Sequence, residues 1–359
     1  MSYDKSLEGA RAPVVTSEPV CQWFDAVSLG IEGRGWPVSR LESPYDRLPA
    51  SARGVVRPDV WGLSHCSTGM RVRFVSDAQQ IHARWSLRDE ALSLGRMPAT
   101  SKSGLDLYAK LDGRWVFAGS LAATSYPESQ GIVAKGLMAG PREFMLYLPL
   151  FNGVDSLHIG VPEGSSVTPA PALPAQEKPI VVYGSSVVQG GCASRSGMGY
   201  VELLSRSLSL PTVNLGFSGN GMMEIEVAQL LAELDPALFV IDSLPNLQPG
   251  QASERLEPLL RTIRTARPTT PILLIACIQY TRSWVQSHES HTHVEKNREQ
   301  LAIYHKLIHE GWTRLHHLSN EGLLGDDNLA SVDGSHPSDL GFMRMATAIE
   351  PAVRKALSS

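Results

Sequence analysis

At 359 residues, with 43% hydrophobic and 19% charged side chains, the chain is long enough for two domains and a sizeable core. A formal net charge of -4, with Arg and Lys scattered along the chain, gives no electrostatic case for nucleic acid or an anionic membrane as partner.

The chain opens on a polar stretch without an apolar signal region, and no apolar run is long enough to span a bilayer. A reduced, cytoplasmic setting is expected, although a secreted form whose signal had been removed would read the same way. Residues 1–161 read as an all-β, sandwich-like or jelly-roll domain. Residues 70–75 and 81–87 alternate apolar and polar side chains, the period of a half-buried strand. Residues 105–111 alternate too, and Asp112-Gly113 then turns the chain into a strand at 114–118. Segments 144–148 and 157–161 add two more. Short strands separated by turn signals favour a sandwich or jelly roll. Residues 162–178 are rich in Pro, Ala, Ser and Gly and read as a linker.

From 179 to 359 the pattern changes. Apolar strands are expected at 180–183, 212–215, 237–241 and 271–276, with a weaker one at 314–318. Helices are expected from about Tyr200, from about Met222, at 252–264, at 295–309 and at 338–357. A long polar loop, 280–296, separates the fourth strand from its helix. Strand and helix in alternation mean a parallel sheet covered on both faces. Working residues of such sheets gather at the carboxyl ends of the strands.

Four short segments lie at those ends or just before the last helix. Ser186 follows the first strand, and a hydroxyl there becomes a nucleophile only with a base beside it. His336 is the best base among eleven histidines, with Asp333 three residues before it and Pro337 after it. The turn can bring the Asp333 carboxylate to one ring nitrogen and leave the other facing Ser186. An oxyanion needs donors where charge develops. Asn246 offers a side-chain amide after the third strand. Gly219, lacking a side chain, lets its backbone N–H approach substrate closely, and the Ser186 N–H is the third candidate donor.

These residues resemble the SGNH, or GDSL-type, hydrolase superfamily. Ser186, Gly219, Asn246 and His336 match the family's four elements, and Asp333 matches the acid of its D-x-x-H block. The likeness is to a bacterial branch marked by GSSVVQGGCASR at 184–195, NLGFSGNG at 214–221, LPN at 244–246 and VDGSHPSDLG at 332–341. That branch carries an N-terminal β-domain with a G-x-D-L-Y signature, present as Gly104, Leu105, Asp106, Leu107 and Tyr108. The resemblance implies a flavodoxin-like α/β/α hydrolase domain at 179–359 and no cofactor. It also implies hydrolysis of esters, often acetyl esters of carbohydrates. The chain departs from the family in two places: Ser185 and Leu247 stand where acids are usual.

Other patterns carry less. Residues 216–221 are not G-x-S-x-G, because Asn220 occupies the last glycine's place, and they lack the dinucleotide-binding order. His288, His291 and His293 do not have H-E-x-x-H spacing and read as a solvated loop, so no metal site is expected. The four cysteines form no C-x-x-C pair, and Cys277 reads as a buried thiol. Arg195 is a candidate for binding a substrate oxygen or carboxylate, with a surface arginine as the even alternative. Trp61, Trp85 and Trp115 could stack on sugars, but the latter two sit in alternating strands and read as core.

The expectation is a serine esterase acting through an acyl-enzyme on Ser186, on a short acyl ester of a carbohydrate or small molecule. A thioesterase or arylesterase with the same triad remains open, as does a carbohydrate-binding protein with a dormant site.

Overall fold

The computed structural model describes residues 20–173 and 177–359, and of residues 287–291 the backbone only. The N-terminal half is built on two antiparallel sheets. One runs Cys21–Asp25, Val154–Pro162, Gln80–Leu87, Glu128–Lys135. The other runs Val167–Pro169, Arg71–Ser76, Arg142–Tyr147, Leu105–Leu111, Arg114–Leu121, with Ile31–Glu32 also paired to Arg71–Ser76. Alternate residues of both sheets, among them Phe74, Trp85, Leu107, Phe144, Leu146 and Leu157, fill one core between them. This is the expected sandwich.

Three strands before the linker escaped the sequence reading: Cys21–Asp25 and Glu128–Lys135, because neither alternates cleanly and the latter is largely polar, and Ile31–Glu32, which is only two residues long. Part of the segment read as linker is also a strand. Val167 is buried, and Val167–Pro169 pairs with the Arg71–Ser76 strand.

The C-terminal half is a five-stranded parallel sheet in the order Thr212–Gly216, Ile180–Gly184, Leu238–Asp242, Ile272–Ile275, Leu315–Leu318. This is the 2-1-3-4-5 order of flavodoxin-like folds. Val181 and Tyr183 face a core shared with helices Ile225–Glu233 and Gln251–Ala266, whereas Ile180 and Val182 face one shared with Tyr200–Leu208 and Asp339–Leu357. The sheet is therefore the middle of three layers.

The halves share core. Trp36, Leu48, Val56 and Val60, from segment 36–60 of the N-terminal half, pack with Leu231, Leu234 and Phe217 of the C-terminal half. Met97 and Leu150 join the opposite core.

One expectation is corrected after the fourth strand. The helix there is Ser287–His309, so the segment from His288 to His293 is helical and the loop ends near residue 286. The stretch has no Pro or Gly to stop a helix, and its polar residues hid the period. The side chains of His288 and His291 lie outside the described residues. His293 is buried, with its ring 6.4 Å from that of Tyr280.

Candidate active site

The central strand Ile180–Gly184 ends against its neighbour. A Cβ on Gly184 would lie 2.1 Å from the Asp242 carbonyl oxygen, so only glycine fits there. Ser185 then donates its N–H to that carbonyl at 3.1 Å, and its hydroxyl accepts the Val187 N–H at 3.2 Å. At this departure from the family pattern the side chain locks the turn. At the other, Leu247 is buried in the core.

Ser186 follows, and its Oγ lies 2.9 Å from His336 Nε2. His336 Nδ1 lies 2.8 Å from Asp333 Oδ2. A carboxylate only accepts, so Nδ1 carries the proton and Nε2 is left to accept from the serine hydroxyl. The loop carrying the pair is closed by a bridge between Ser331 and Pro337, by Thr281 Oγ1 2.5 Å from Ser331 Oγ, and by Arg282 donating to the Asp333 carbonyl at 3.0 Å. Burial works against ionisation of Asp333, but the backbone N–H groups of His336 and Ser335 donate to Oδ1 at 2.8 and 3.0 Å. Together with the His336 ring they hold the carboxyl well below the usual carboxylate range. The three groups form the chain a base-activated hydroxyl requires.

Ser186 and His336 open into a cleft of about 470 Å³. Its far wall comes from the N-terminal half: Leu94, Arg96, Met97 and Phe151. Arg96 Nη1 is 3.2 Å from Asp333 Oδ2. No sequence signal marked Arg96, because its place depends on how the two halves dock. Cys192 also lines the cleft, and burial, then the nearby Asp333 charge, pushes its thiol up to about 11.

The three expected oxyanion donors sit at the ends of neighbouring strands. Gly219 holds a positive φ of +71°, natural to glycine. Among the described residues neither the Gly219 nor the Ser186 N–H donates to a protein acceptor. Asn246 donates one amide hydrogen to the Phe217 carbonyl at 3.1 Å, which ties it to the Gly219 turn. Two arginines from the N-terminal half brace that turn. Arg47, wholly buried, donates to the carbonyls of Asn214 (3.3 Å) and Gly216 (2.6 Å). Arg57 donates to the Asn220 side chain at 2.7 Å and to Glu224 at 2.5 Å.

Arg195 does not face the cleft, correcting its candidacy for substrate. It donates to Asp106 Oδ2 at 2.7 Å and Tyr108 Oη at 2.6 Å, and stacks 4.2 Å over Phe117. Asp106 also accepts the Gly197 N–H at 2.9 Å, and the Gly104 carbonyl accepts from Ser196 at 3.0 Å. The G-x-D-L-Y signature is thus a docking motif for the loop after the nucleophile turn. Trp85 is buried core, and Trp61 and Trp115 pack on neighbouring side chains away from the cleft.

Two family models match, a GDSL-like lipase/acylhydrolase over residues 177–354 and the N-terminus of SGNH-type esterases, GxDLY, over 21–167. A solved GDSL-like lipase from Bacteroides ovatus is 31% identical with a TM-score of 0.89, over 94% of this chain and 98% of that one. The chain belongs to the GDSL-like, or SGNH, hydrolase family. It is an ester hydrolase of that family. More distant likenesses are of fold. They include the salicylyl-acyltransferase SsfX3 of a tetracycline biosynthetic pathway (17% identity, TM-score 0.70, 96% and 99% coverage). A family two carbohydrate esterase from Clostridium thermocellum, in complex with cellohexaose, is another (12%, 0.55, 81% and 93%). No curated protein matches. No described helix is long and apolar enough to cross a membrane.

Proposed function

We propose that this hydrolase removes short acyl groups, acetyl foremost, from carbohydrate alcohols by way of an acyl-enzyme on Ser186. The observation that carries the reading is the hydrogen-bonded chain Ser186–His336–Asp333 at the floor of an open, partly polar cleft. Ser186 Oγ attacks the acyl carbon while His336 Nε2 takes its proton. The carbonyl π electrons move to oxygen, where the N–H groups of Ser186 and Gly219 and the free hydrogen of the Asn246 amide receive the charge. The tetrahedral species collapses, the C–O bond to the alcohol breaks, and His336 returns the proton to the leaving oxygen. Water then attacks the acyl-serine by the same route in reverse and releases the acid. Asp333 holds the imidazole tautomer throughout and stabilises the imidazolium.

A short acyl group suits walls that mix Leu94, Met97 and Phe151 with Arg96 and Ser218. Covering a long chain there would desolvate charged and polar groups at a cost. The carbohydrate alcohol is an analogy from the fold shared with carbohydrate esterases.

A panel of acetylated oligosaccharides and of nitrophenyl esters from acetyl to octanoyl tests the reading. The expected order is acetyl first, with kcat/KM falling as the chain lengthens. A Ser186→Ala variant should retain its fold and lose on the order of 10⁶ in turnover. A kcat/KM rising towards octanoyl, or acyl thioesters turned over faster than every ester, would replace this substrate assignment. Near-native activity of a folded Ser186→Ala would remove Ser186 as nucleophile.

A further inference from the structure

A second cavity of about 640 Å³ has no member of the Ser186–His336–Asp333 chain in its wall. One side is the loop after the fourth strand, with Gln279 and Trp284. The other is the loop after the fifth strand, with Asn320, Glu321, Asp326 and Asn328. Both loops leave the carboxyl ends of parallel strands, the end from which Ser186 also leaves. Both are tied to the His336 loop. Thr281 meets Ser331, Arg282 holds the Asp333 carbonyl, and the chain from Asn328 runs on directly to Asp333. The cavity therefore opens at the same carboxyl-terminal end of the sheet as the catalytic cleft.

Its chemistry is specific. Trp284 is 76% exposed and lines the cavity, so most of its apolar surface is left uncovered by the described residues. An exposed ring of this size gains from a flat, weakly polar partner laid against it. Around it stand amides that both donate and accept, and carboxylates that accept from two neighbouring hydroxyls. Among the described lining residues none is Lys or Arg. A phosphorylated or carboxylated ligand would meet two negative charges there, and an acyl chain would desolvate them. A neutral ligand with one apolar face and a rim of hydroxyls matches both features.

We infer that this cavity is a subsite for an uncharged saccharide ring, stacked on Trp284 and hydrogen-bonded by Asn320 and Asn328, which holds the chain whose esterified unit sits at Ser186. This rests on the carbohydrate reading above and extends it from a single acetylated sugar to an oligosaccharide.

The test separates the subsite from the chemistry. Binding of unacetylated cello- and xylo-oligosaccharides to full-length Ser186→Ala is measured by calorimetry and by Trp fluorescence. Hydrolysis of acetylated oligosaccharides and of nitrophenyl acetate is measured in the otherwise native chain. Trp284→Ala should weaken oligosaccharide binding and raise KM for the acetylated oligosaccharide about tenfold. It should leave kcat on that substrate, and kcat/KM on nitrophenyl acetate, within about twofold. Trp284→Phe should recover most of the loss. The position is exposed, so the substitution leaves the core intact, and an unchanged melting temperature checks this. Absence of oligosaccharide binding to Ser186→Ala, or equal losses on both esters in Trp284→Ala, overturns the subsite while leaving the esterase intact. If binding depends on Trp284 but no acetylated saccharide is turned over, the subsite stands and the acetyl-carbohydrate assignment falls.

Discussion

In the mechanism proposed above, Asn246 serves structure and chemistry together. One amide hydrogen goes to the Phe217 carbonyl, which fixes the amide plane, and the other is left for charge on the substrate. Charge on that oxygen exists only in the transition state, so Asn246→Ala should lower kcat roughly 10²–10³-fold and leave KM nearly unchanged. A loss confined to KM would make Asn246 a binder of ground-state substrate. Asp242, one strand end away, makes a different statement about pH. Its carboxyl is fully buried; burial pushes it up to about 7, although the Tyr200 hydroxyl donates to it at 2.9 Å. The unfolded chain gives up this proton near pH 4 and the folded chain keeps it until about 7. Stability is therefore lost as pH rises through that window, by about 1.4 kcal/mol per unit. Asp242→Asn cannot ionise and keeps an acceptor for Tyr200. Urea midpoints at pH 4.5 and 8 should show the variant gaining on the native chain as pH rises. Parallel pH profiles would mean that the native carboxyl ionises at its ordinary value.

The strands Ile180–Gly184, Leu238–Asp242 and Ile272–Ile275 were legible because each is a short apolar run bounded by turn residues, and sheets buried on both faces demand such runs. The candidate triad Ser186, His336 and Asp333 was legible for a related reason: Ser186 sits in a glycine-marked turn at a strand end, and the other two in a Gly- and Pro-marked loop before the last helix. The strand Glu128–Lys135 and the start of helix Ser287–His309 were not, since polar residues carry no period and only packing decides their state. Arg195 was misjudged because a sequence does not say which way a side chain turns once another domain supplies its acid. Between the strand ends, glycines set the spacing. A Cβ at Gly184 would strike the Asp242 carbonyl, and one at Gly221 would lie 2.0 Å from the Gly184 carbonyl. Both contacts are backbone and cannot yield cheaply. Gly184→Ala should cost about 1–3 kcal/mol of stability, as overpacking does, and displace the Ser186 turn. Thermal melts together with kcat at a temperature where the variant is folded check both parts. An unchanged melting temperature with full turnover would show that the strand ends give way.

At the scale of the whole molecule, the N-terminal half holds the turns that carry the candidate site. Arg47 and Arg57 hold the Gly219 turn, Arg96 reaches Asp333, and Asp106 holds the loop after Ser186. Thr100 adds a hydroxyl to the Ser194 carbonyl at 2.5 Å. Trp36, Leu48, Val56 and Val60 close a core that the α/β unit would otherwise present to water. A chain of residues 177–359 alone should therefore be poorly soluble, or fold without activity. Because an insoluble fragment says nothing about the turns, a milder change belongs beside it. Arg57→Ala in the full chain removes the hydrogen bonds to the Asn220 side chain and carbonyl and to Glu224, and leaves the core whole. Misplacing an oxyanion donor by about 1 Å can cost on the order of 10² in rate. The variant should thus lose kcat by between about 10- and 100-fold, with KM and the far-ultraviolet spectrum close to native. Nitrophenyl acetate kinetics on the fragment, the variant and the native chain decide the matter. A soluble fragment with native kcat/KM, or an Arg57→Ala variant with native kcat, would mean that the α/β unit shapes its own site and that the β-domain only covers its flank.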